Sequence, residues 1–284
     1  MATYHHVIKD AEEKVSLTNA SVSAVKLFMY ELTQQNNIDL YMHYNEEVDT
    51  KIIDLFDRGI ERLIKDEPLA YILGYQWFYG RKFLVNRDVF IPRYETEELC
   101  AYVLKEIDQY FSDNKKIDLA DIATGSGAIA ITISCEEPKV NCYATELSLE
   151  TIQMAKQNAV DNGANVQFYQ GDMLKPLIEN KVLLDVLISN PPYISTSEIL
   201  ESSVVDFEPN IALFGGDDGL YFYRIILDNA KKVLKDKALM AFEIGYQQKE
   251  SLLKLVNELY PGQEAKVVKD LNGKDRMLFI YLNM

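Results

Sequence analysis

The second half of this chain alternates between strand-like and helix-like stretches, and this alternation restricts the fold more than any other feature of the sequence. Apolar and β-branched runs predict strands at 117–122, 140–145, 166–169, 182–189, 238–244 and 277–281. Helical spacing of apolar residues predicts helices at 128–135, 149–162, 220–234 and 247–259. Such alternation is typical of βαβ units, which build a mostly parallel sheet with helices on both faces. Because ligands bind beyond the carboxyl ends of such strands, we expect the functional residues in the loops that follow them.

The first 75 residues follow a different pattern. Their apolar residues recur at helical spacing, as in Phe28 and Leu32, which predicts a small helical domain. Aromatic and β-branched residues then alternate with polar ones, which predicts a β-hairpin. The sequence therefore divides into a helical domain at 1–75, a hairpin linker at 76–92 and an α/β domain at 93–284.

Charge and cysteine content exclude several classes of protein. The formal net charge is −15, and both the helical domain and the remainder are acidic, so the chain lacks the basic surface with which proteins bind duplex nucleic acid. Cys100, Cys135 and Cys142 form no CxxC pair, which argues against a zinc site and against a disulfide framework. We find no signal peptide and no membrane-spanning run, and we expect a cytoplasmic protein with reduced thiols and no bound metal.

The loop after the first strand of the α/β domain is rich in small residues. It contains Ala123, Thr124, Gly125, Ser126 and Gly127 and leads directly into a helix. The glycines allow the backbone to turn tightly, and the free amides at the start of the helix attract anionic groups. A tight turn without a ligand is the alternative. A dinucleotide-binding loop is disfavoured, because its GxGxxG pattern is not met.

Two acidic residues follow the next two strands. Glu146 stands where nucleotide-binding βαβ units place a carboxylate that accepts hydrogen bonds from both hydroxyls of a ribose. Asp172 could accept a hydrogen bond from an exocyclic adenine amine. Taken alone, Glu146 could be a solvated charge at a helix start, and Asp172 could belong to an ordinary Gly-Asp turn. Polar residues in three consecutive loops together favour a nucleoside-binding edge of the sheet.

The fourth strand ends in Asn190, Pro191, Pro192 and Tyr193, which we call the NPPY turn. The side-chain oxygen of Asn190 and the carbonyl of Pro191 can accept both hydrogens of one planar NH2 group, since consecutive prolines remove competing backbone donors. Tyr193 adds a flat face against which an amide or a base can lie. A proline-rich turn with no ligand is the alternative interpretation.

The NPPY turn and its surroundings resemble the class I S-adenosylmethionine-dependent methyltransferases, and within them the protein-(glutamine-N5) methyltransferases that modify peptide-chain release factors. The resemblance runs from residue 68 to residue 281 with matching order and spacing. The NPPY turn is shared with enzymes that methylate DNA bases, so by itself it indicates only an NH2 acceptor. The other matching stretches are 69–74, 78–80, 91–99, 208–209, 212–213, 215–220, 223–224, 243–245 and 270–276.

The resemblance implies a Rossmann-like class I methyltransferase sheet of seven mostly parallel strands, with the helical domain and the hairpin linker before it. It implies S-adenosylmethionine as methyl donor, S-adenosylhomocysteine as product, and release factors as protein substrate, modified on the glutamine of their Gly-Gly-Gln motif. The helical domain would dock that substrate, and no nucleic acid or membrane would be bound. The catalytic residues would be Asn190, Pro191, Pro192 and Tyr193, and the cofactor site would be Ala123, Thr124, Gly125, Ser126, Gly127, Glu146, Asp172 and Asn190.

By the same resemblance, Arg93, Glu95 and Thr96 form a wall near the cofactor, although a capped helix start explains them equally well. Three departures from the family's pattern stand out: Ala123 in place of a glycine, Glu146 in place of the commoner aspartate, and Tyr94 in place of a proline. We expect Ala123 to be tolerated if its φ stays negative.

Other functions are left open by the residues themselves. A glutamine methyltransferase that acts on a ribosomal protein would carry the same motifs. A DNA adenine N6 methyltransferase is less consistent with the net charge of −15. A binding module without activity is disfavoured by the intact NPPY turn and by the two acidic residues that follow the neighbouring strands.

Overall fold

The computed structural model describes residues 2–200 and 202–284. The helices are α1 (Tyr4–Val15), α2 (Val22–Gln35), α3 (Thr50–Leu63), α4 (Leu69–Leu73), α5 (Tyr94–Tyr110), α6 (Ala128–Glu136), α7 (Leu149–Asp161), α8 (Lys175–Glu179), α9 (Ser202–Phe207), α10 (Tyr221–Ala230) and α11 (Lys249–Leu259). The strands are β1 (Tyr75–Phe78), β2 (Arg81–Leu84), β3 (Ile117–Ile122), β4 (Val140–Glu146), β5 (Val166–Gln170), β6 (Leu184–Ser189), β7 (Leu234–Glu243), β8 (Glu264–Lys269) and β9 (Asp275–Leu282). A short 3-10 helix spans Asn210–Ala212.

The contacts divide the chain into two compact units. The first comprises the residues up to Tyr75 together with Leu200–Phe207, and the second comprises Gln76–Ile199 and Glu208–Met284. The first unit is helical, and α1, α2 and α3 each bury one apolar face in a common core around Ile8, Met29 and Phe56.

Glycine in the middle of a helix usually weakens it, yet α3 contains Gly59. A Cβ at this position would lie 2.1 Å from Cε1 of Phe28, so any side chain would displace the phenyl ring. Gly59 therefore allows α2 and α3 to pack closely enough to bury Phe28.

The second unit is built on a seven-stranded sheet with the order β5-β4-β3-β6-β7-β9-β8. Strands β3 to β7 are parallel, and β9 runs antiparallel to both β7 and β8. Apolar residues on the two faces form separate cores, as neighbouring residues of β6 show: Val186 belongs to one core and Leu187 to the other. The predicted α/β fold with a mostly parallel, doubly covered sheet is confirmed.

The strand order reverses between β3 and β6. From β3 the chain proceeds outward to β4 and β5, and it then returns to place β6 on the other side of β3. The connections that leave β3 and β6 therefore diverge and open a crevice at their carboxyl ends. The NPPY turn directly follows β6, so the fold places it at this crevice.

The hairpin begins one residue before its predicted start and is shorter than predicted. Strands β1 and β2 form a separate two-stranded sheet, and Tyr79 and Gly80 between them have φ values of 50° and 71°. Two consecutive positive φ values suit a two-residue hairpin turn. After Leu84 the predicted hairpin is wrong, because residues 85–92 contain no strand.

Several element predictions need correction. The helix predicted to reach residue 234 ends at Ala230, and Leu234 already starts β7. Helix α5 and strand β8 are absent from the elements predicted from apolar runs. The burial of β8 alternates and its polar side includes Lys266 and Lys269, as is common for an edge strand.

Cys100 and Cys142 are buried, and all three cysteines are free. Within the described ranges, every helix is too short or too polar to cross a bilayer.

Candidate active site

A cavity of about 440 Å³ lies at the carboxyl ends of β3, β4, β5 and β6, within the second unit. Most residues that the sequence singled out line it together: Ala123, Thr124, Gly125, Ser126, Glu146, Asp172, Asn190, Pro191, Pro192 and Tyr193. Gly127 lies outside the lining. The sequence did not assign the remaining wall, which includes Arg87, Phe90 and Pro92 before α5 and Pro209, Ile211 and Leu213 after α9.

The loop after β3 has an unusual backbone. Ala123, Gly125 and Gly127 all have positive φ, at 59°, 57° and 84°. The condition of a negative φ at Ala123 is therefore not met, and the residue adopts a backbone conformation that is unfavourable for L-residues. At Gly127 a Cβ would lie 2.8 Å from Cδ1 of Ile131 and 3.3 Å from Cβ of Ala155, so this glycine serves close packing of α6 rather than ligand contact.

A buried carboxyl group lies directly behind this loop. Asp121 Oδ2 accepts hydrogen bonds from Thr124 Oγ1 at 2.5 Å and from the amide of Ala130 at 3.3 Å. Its other oxygen, Oδ1, has no partner among the described residues. Burial raises the pKa of Asp121 to about 7, against the lowering effect of these two donors. The sequence analysis did not single out Asp121, which lies within β3 among mostly apolar residues.

Glu146 binds the loop after β3 to the start of α7. Its Oε2 accepts from the amide of Gly125 at 3.0 Å, and its Oε1 accepts from the amides of Leu147 at 2.8 Å and Ser148 at 3.0 Å. A carboxylate offers about four acceptor positions, so one position on Oε2 remains for a ligand. Glu146 was predicted to accept from both hydroxyls of a ribose. In the structure, three backbone amides already donate to its carboxylate.

Asp172 follows β5 in a tight turn. It is exposed at the cavity and is flanked by Gly171 with a φ of 153° and Met173 with a φ of 45°. A Cβ at Gly171 would lie 2.5 Å from Cγ of Pro176, so the start of α8 needs glycine here. The turn therefore keeps the carboxylate of Asp172 at the rim of the cavity.

The NPPY turn presents two acceptors that have no partner among the described residues. Asn190 Nδ2 donates to Thr96 Oγ1 at 3.2 Å, and no donor from residues 2–200 or 202–284 reaches Asn190 Oδ1. The carbonyl of Pro191 likewise receives no hydrogen bond from the described part of the chain. Both residues line the cavity, so a ligand with an NH2 group can donate to this pair.

The turn is held from behind by glycine backbone. A Cβ at Gly215 would lie 2.5 Å from the Pro192 carbonyl oxygen and 2.9 Å from Tyr193 Cα, and one at Gly219 would lie 2.3 Å from the Tyr193 carbonyl oxygen. Gln248 Nε2 donates to that carbonyl of Tyr193 at 3.0 Å. The 215–220 stretch of the family resemblance thus supports the turn rather than the ligand.

A second buried carboxylate lies beside the NPPY turn. Glu243 at the end of β7 accepts from Thr96 Oγ1 at 2.5 Å through Oε2 and from Tyr193 Oη at 3.2 Å through Oε1. Burial raises the pKa of Glu243, against the lowering effects of the Thr96 hydroxyl and the charge of Arg276. Burial also raises the pKa of the Tyr193 phenol, so this hydroxyl stays protonated and serves as a donor.

Of the three residues expected as a wall, only Thr96 lines the cavity. The alternative of a helix start with Glu95 or Thr96 near its cap agrees with α5, which begins at Tyr94, although its N-cap residue Arg93 makes no side-chain capping hydrogen bond. Arg93 instead pairs with Glu208.

Comparison with known proteins reveals full-length relatives. Two family models match, described as the "PrmC N-terminal domain" at residues 8–74 and the "Methyltransferase small domain" at residues 102–207. The chain is 40% identical to the release factor glutamine methyltransferase of Bacillus anthracis over 97% of its own length and 98% of that protein. It is 38% identical to the protein of the same name from Bacillus subtilis, with coverages of 98% and 97%. A methyltransferase structure from Pyrococcus furiosus shares the fold with a TM-score of 0.52 and 18% identity, covering 80% of this chain and 99% of that one.

Proposed function

The chain belongs to the release factor glutamine methyltransferase family, and from this premise we propose that it methylates the glutamine side chain in the Gly-Gly-Gln motif of peptide-chain release factors. The methyl donor is S-adenosylmethionine, and the acceptor is the amide nitrogen N5. The single observation that carries this proposal in the structure is the pair of acceptors, Asn190 Oδ1 and the Pro191 carbonyl, that line one cavity without a partner among the described residues.

The cavity residues suit S-adenosylmethionine. The cavity volume of about 440 Å³ is in the range of small-molecule sites, and the cavity walls come from loops at the switch point of the sheet. Glu146 keeps one acceptor position for a ribose hydroxyl, and Asp172 offers a carboxylate for the amine of adenine. The loop 123–126 supplies backbone close to the ligand because its φ values are positive at Ala123 and Gly125.

The amide nitrogen of glutamine is a poor nucleophile, since its lone pair is delocalised into the carbonyl. S-adenosylmethionine supplies an activated methyl group on a sulfonium. Asn190 Oδ1 and the Pro191 carbonyl accept the two amide hydrogens, and so stabilise the positive charge that develops on nitrogen. Preorganised dipoles of this kind contribute about 3 kcal/mol each in enzymes where the effect has been measured. The same two contacts orient the nitrogen for in-line transfer.

The transfer needs no strong base in the protein. A methylated, protonated amide is very acidic and gives its proton to water. The carboxylates near the NPPY turn have other tasks: Glu243 accepts from Thr96 and Tyr193, and Asp121 accepts from Thr124 and Ala130. Neither group has to abstract a proton from the substrate.

The protein partner is a release factor, and the helical unit is its docking surface. With a net charge of −15, the chain favours encounter with a basic protein surface and disfavours direct binding of nucleic acid. We place the reaction in the cytoplasm, where release factors act.

The experiment is a methyl-transfer assay with labelled S-adenosylmethionine. Release factor, ribosomal protein and duplex DNA are offered in parallel, and the label is located by peptide mass spectrometry. We expect label only on the Gly-Gly-Gln glutamine, with none on a release factor whose glutamine is replaced by asparagine. Asn190→Ala should lower kcat by about 100-fold or more while S-adenosylmethionine still binds. Label on DNA or on the ribosomal protein alone would refute the assignment.

A further inference from the structure

A chain of side-chain hydrogen bonds runs from the NPPY turn into the core of the second unit. Asn190 Nδ2 donates to Thr96 Oγ1 at 3.2 Å, and Thr96 Oγ1 donates to Glu243 Oε2 at 2.5 Å. Thr96 is 4% exposed and Glu243 is 2% exposed. The sheet register brings Asn190 close to Glu243. Ser189, the last residue of β6, pairs with Phe242 of β7, and Asn190 and Glu243 are the next residues along the chain.

We propose that Thr96 and Glu243 are positioning residues that fix which end of the Asn190 carboxamide faces the substrate. This inference rests on the proposed function, because it concerns how Asn190 receives the glutamine amide. It adds that each hydrogen bond from Asn190 through Thr96 to Glu243 must have one specific donor and one specific acceptor.

The direction follows from counting protons. Glu243 accepts at both side-chain oxygens, from Thr96 Oγ1 at Oε2 and from Tyr193 Oη at Oε1, and a hydroxyl has a single proton to donate. The proton of Thr96 is committed to Glu243, so Thr96 Oγ1 can only accept from Asn190. Only the Nδ2 end of the carboxamide carries hydrogens. Flipping Asn190 would set Oδ1 against the lone pairs of Thr96 Oγ1 and leave Nδ2 towards the substrate.

This constraint decides whether the site accepts or repels an NH2 group. In the observed orientation Oδ1 faces the substrate side as an acceptor, beside the carbonyl of Pro191. In the flipped orientation two NH2 groups would oppose each other, and the developing positive charge would meet a donor. Glu243 therefore controls the polarity of the site through Thr96 without touching the substrate.

Glu243 is itself well held. Its Oε1 accepts from Tyr193 Oη at 3.2 Å, and its backbone carbonyl accepts from Tyr223 Oη at 2.6 Å. One carboxylate thus contacts the first residue of the NPPY turn through Thr96 and the last residue directly. This double contact accounts for a buried acid at a position where an apolar residue would cost less to desolvate.

The decisive test exchanges the donor and acceptor roles in the hydrogen bonds that link residue 190, Thr96 and residue 243. Asn190→Asp keeps an acceptor towards the substrate but sets two carboxylates in competition for the Thr96 proton, so kcat should fall by about 100-fold. In the double variant with Glu243→Gln, the glutamine can donate to Thr96 and Thr96 can donate to Asp. We expect the second substitution to raise kcat at least tenfold in the Asn190→Asp background and to lower it in the wild-type background, about tenfold. The assay is methylation of a release factor with labelled S-adenosylmethionine.

An effect of Glu243→Gln on kcat that is opposite in the two backgrounds distinguishes a positioning role from a packing role. If Glu243→Gln lowers kcat in both backgrounds, or is neutral in both, the proposal is overturned. A wild-type enzyme that fails to label the release factor would instead refute the proposed function, so the two failures are distinguishable. Circular dichroism melting and the Kd for S-adenosylmethionine verify that each variant is folded and binds the donor.

A second pair of variants isolates the hydroxyl. Thr96→Val removes it at nearly constant volume, and Thr96→Ser retains it. Thr96→Val should lower kcat about tenfold with KM for the release factor changed less than about threefold, and Thr96→Ser should stay within about threefold of wild type. Thr132→Val is the matched control, because Thr132 is equally buried and its hydroxyl has no partner in the described structure. Equal effects of Thr96→Val and Thr132→Val would contradict the proposal.

Discussion

Arg93 forms an ion pair with Glu208 across 115 residues of sequence, and the carboxylate end of this pair is almost completely buried. The side chain of Glu208 is 1% exposed and that of Arg93 is 35% exposed. Glu208 also accepts a hydrogen bond from the amide of Ile91 at 3.4 Å. The pair therefore connects the segment before α5 to the segment after α9, and both segments contribute to the cavity wall.

Arg93→Ala should destabilise the protein markedly, because it leaves the Glu208 carboxylate buried without its cation. We expect the free energy of unfolding to fall by about 3 kcal/mol, measured by urea denaturation. Arg224→Ala is the matched control, since Arg224 pairs with Asp218, whose side chain is 51% exposed. The loss there should stay below about 1 kcal/mol. Similar losses in the two variants would show that burial of Glu208 does not matter.

Ala123→Gly should stabilise the protein. Ala123 has a φ of 59°, which costs an L-residue about 1–2 kcal/mol, and glycine avoids this cost at the price of a more flexible unfolded chain. We expect a net gain of about 0.5–1 kcal/mol in the free energy of unfolding. The converse change, Gly125→Ala, places a methyl group at a φ of 57° with no atom within 4 Å of its Cβ, so it should lose stability through backbone strain alone. A loss of stability in Ala123→Gly would contradict the argument.

The buried carboxyl of Asp121 should make stability depend on pH. Its pKa is about 7 in the folded protein, against an ordinary value of 3.8. Between these values the folded state holds a proton that the unfolded state has lost. Stability from this group is therefore present at low pH and declines as pH rises towards 7, by at most about 1.4 kcal/mol per pH unit.

The variant Asp121→Asn cannot titrate, so its melting temperature relative to wild type should change with pH. From pH 7 to pH 5 the wild type should gain stability relative to the variant, in melting curves followed by circular dichroism. Asp161→Asn, at an exposed position of α7, serves as the control and should shift in parallel with wild type. Parallel curves for Asp121→Asn would mean that the carboxyl does not retain its proton.

Glu146→Ala should weaken the binding of S-adenosylmethionine. The substitution removes the remaining acceptor on Oε2 and frees three backbone amides that shape the loop after β3. Hydrogen bonds to a charged group contribute about 1.5–3 kcal/mol, so Kd should rise by about 10- to 100-fold in isothermal titration calorimetry. Glu137→Ala is the control, because among the described residues the Glu137 side chain accepts from the amide of Lys139 alone, and Glu137 lies outside the cavity. An unchanged Kd in Glu146→Ala would exclude Glu146 from the cofactor site.

The sequence predicted the cavity better than it predicted the interactions within it. Loops after consecutive parallel strands must meet at one edge of the sheet, so Glu146, Asp172 and Asn190 could be placed together without coordinates. Local backbone strain could not be predicted in this way. The positive φ of Ala123 depends on how the loop closes against Glu146, which a list of residue preferences does not contain.

The contact between Thr96 and Glu243 could not be predicted from the sequence, for a different reason. These residues are 147 positions apart, and their contact depends on α5 packing against β7, while the link to Asn190 depends on β7 lying next to β6. Strand order is a property of the whole sheet and cannot be read from any single segment. Helix α5, which carries Thr96, was expected only as an alternative helix start and not from apolar spacing, because Glu95 and Glu97 lie in its first turn.

Strand β6 has a consequence for how the enzyme can move. Every residue of β6 is buried, and it pairs with β3 on one side and β7 on the other. Amides in such a strand exchange with solvent only through the rarest openings of a protein. Since Asn190 is the next residue after β6, the residue that binds the substrate amide directly follows a strand that we expect to exchange most slowly. Adjustment to successive substrates then falls to the outer walls of the cavity, and hydrogen exchange should show protection that is high through Ser189 and low around Ile211.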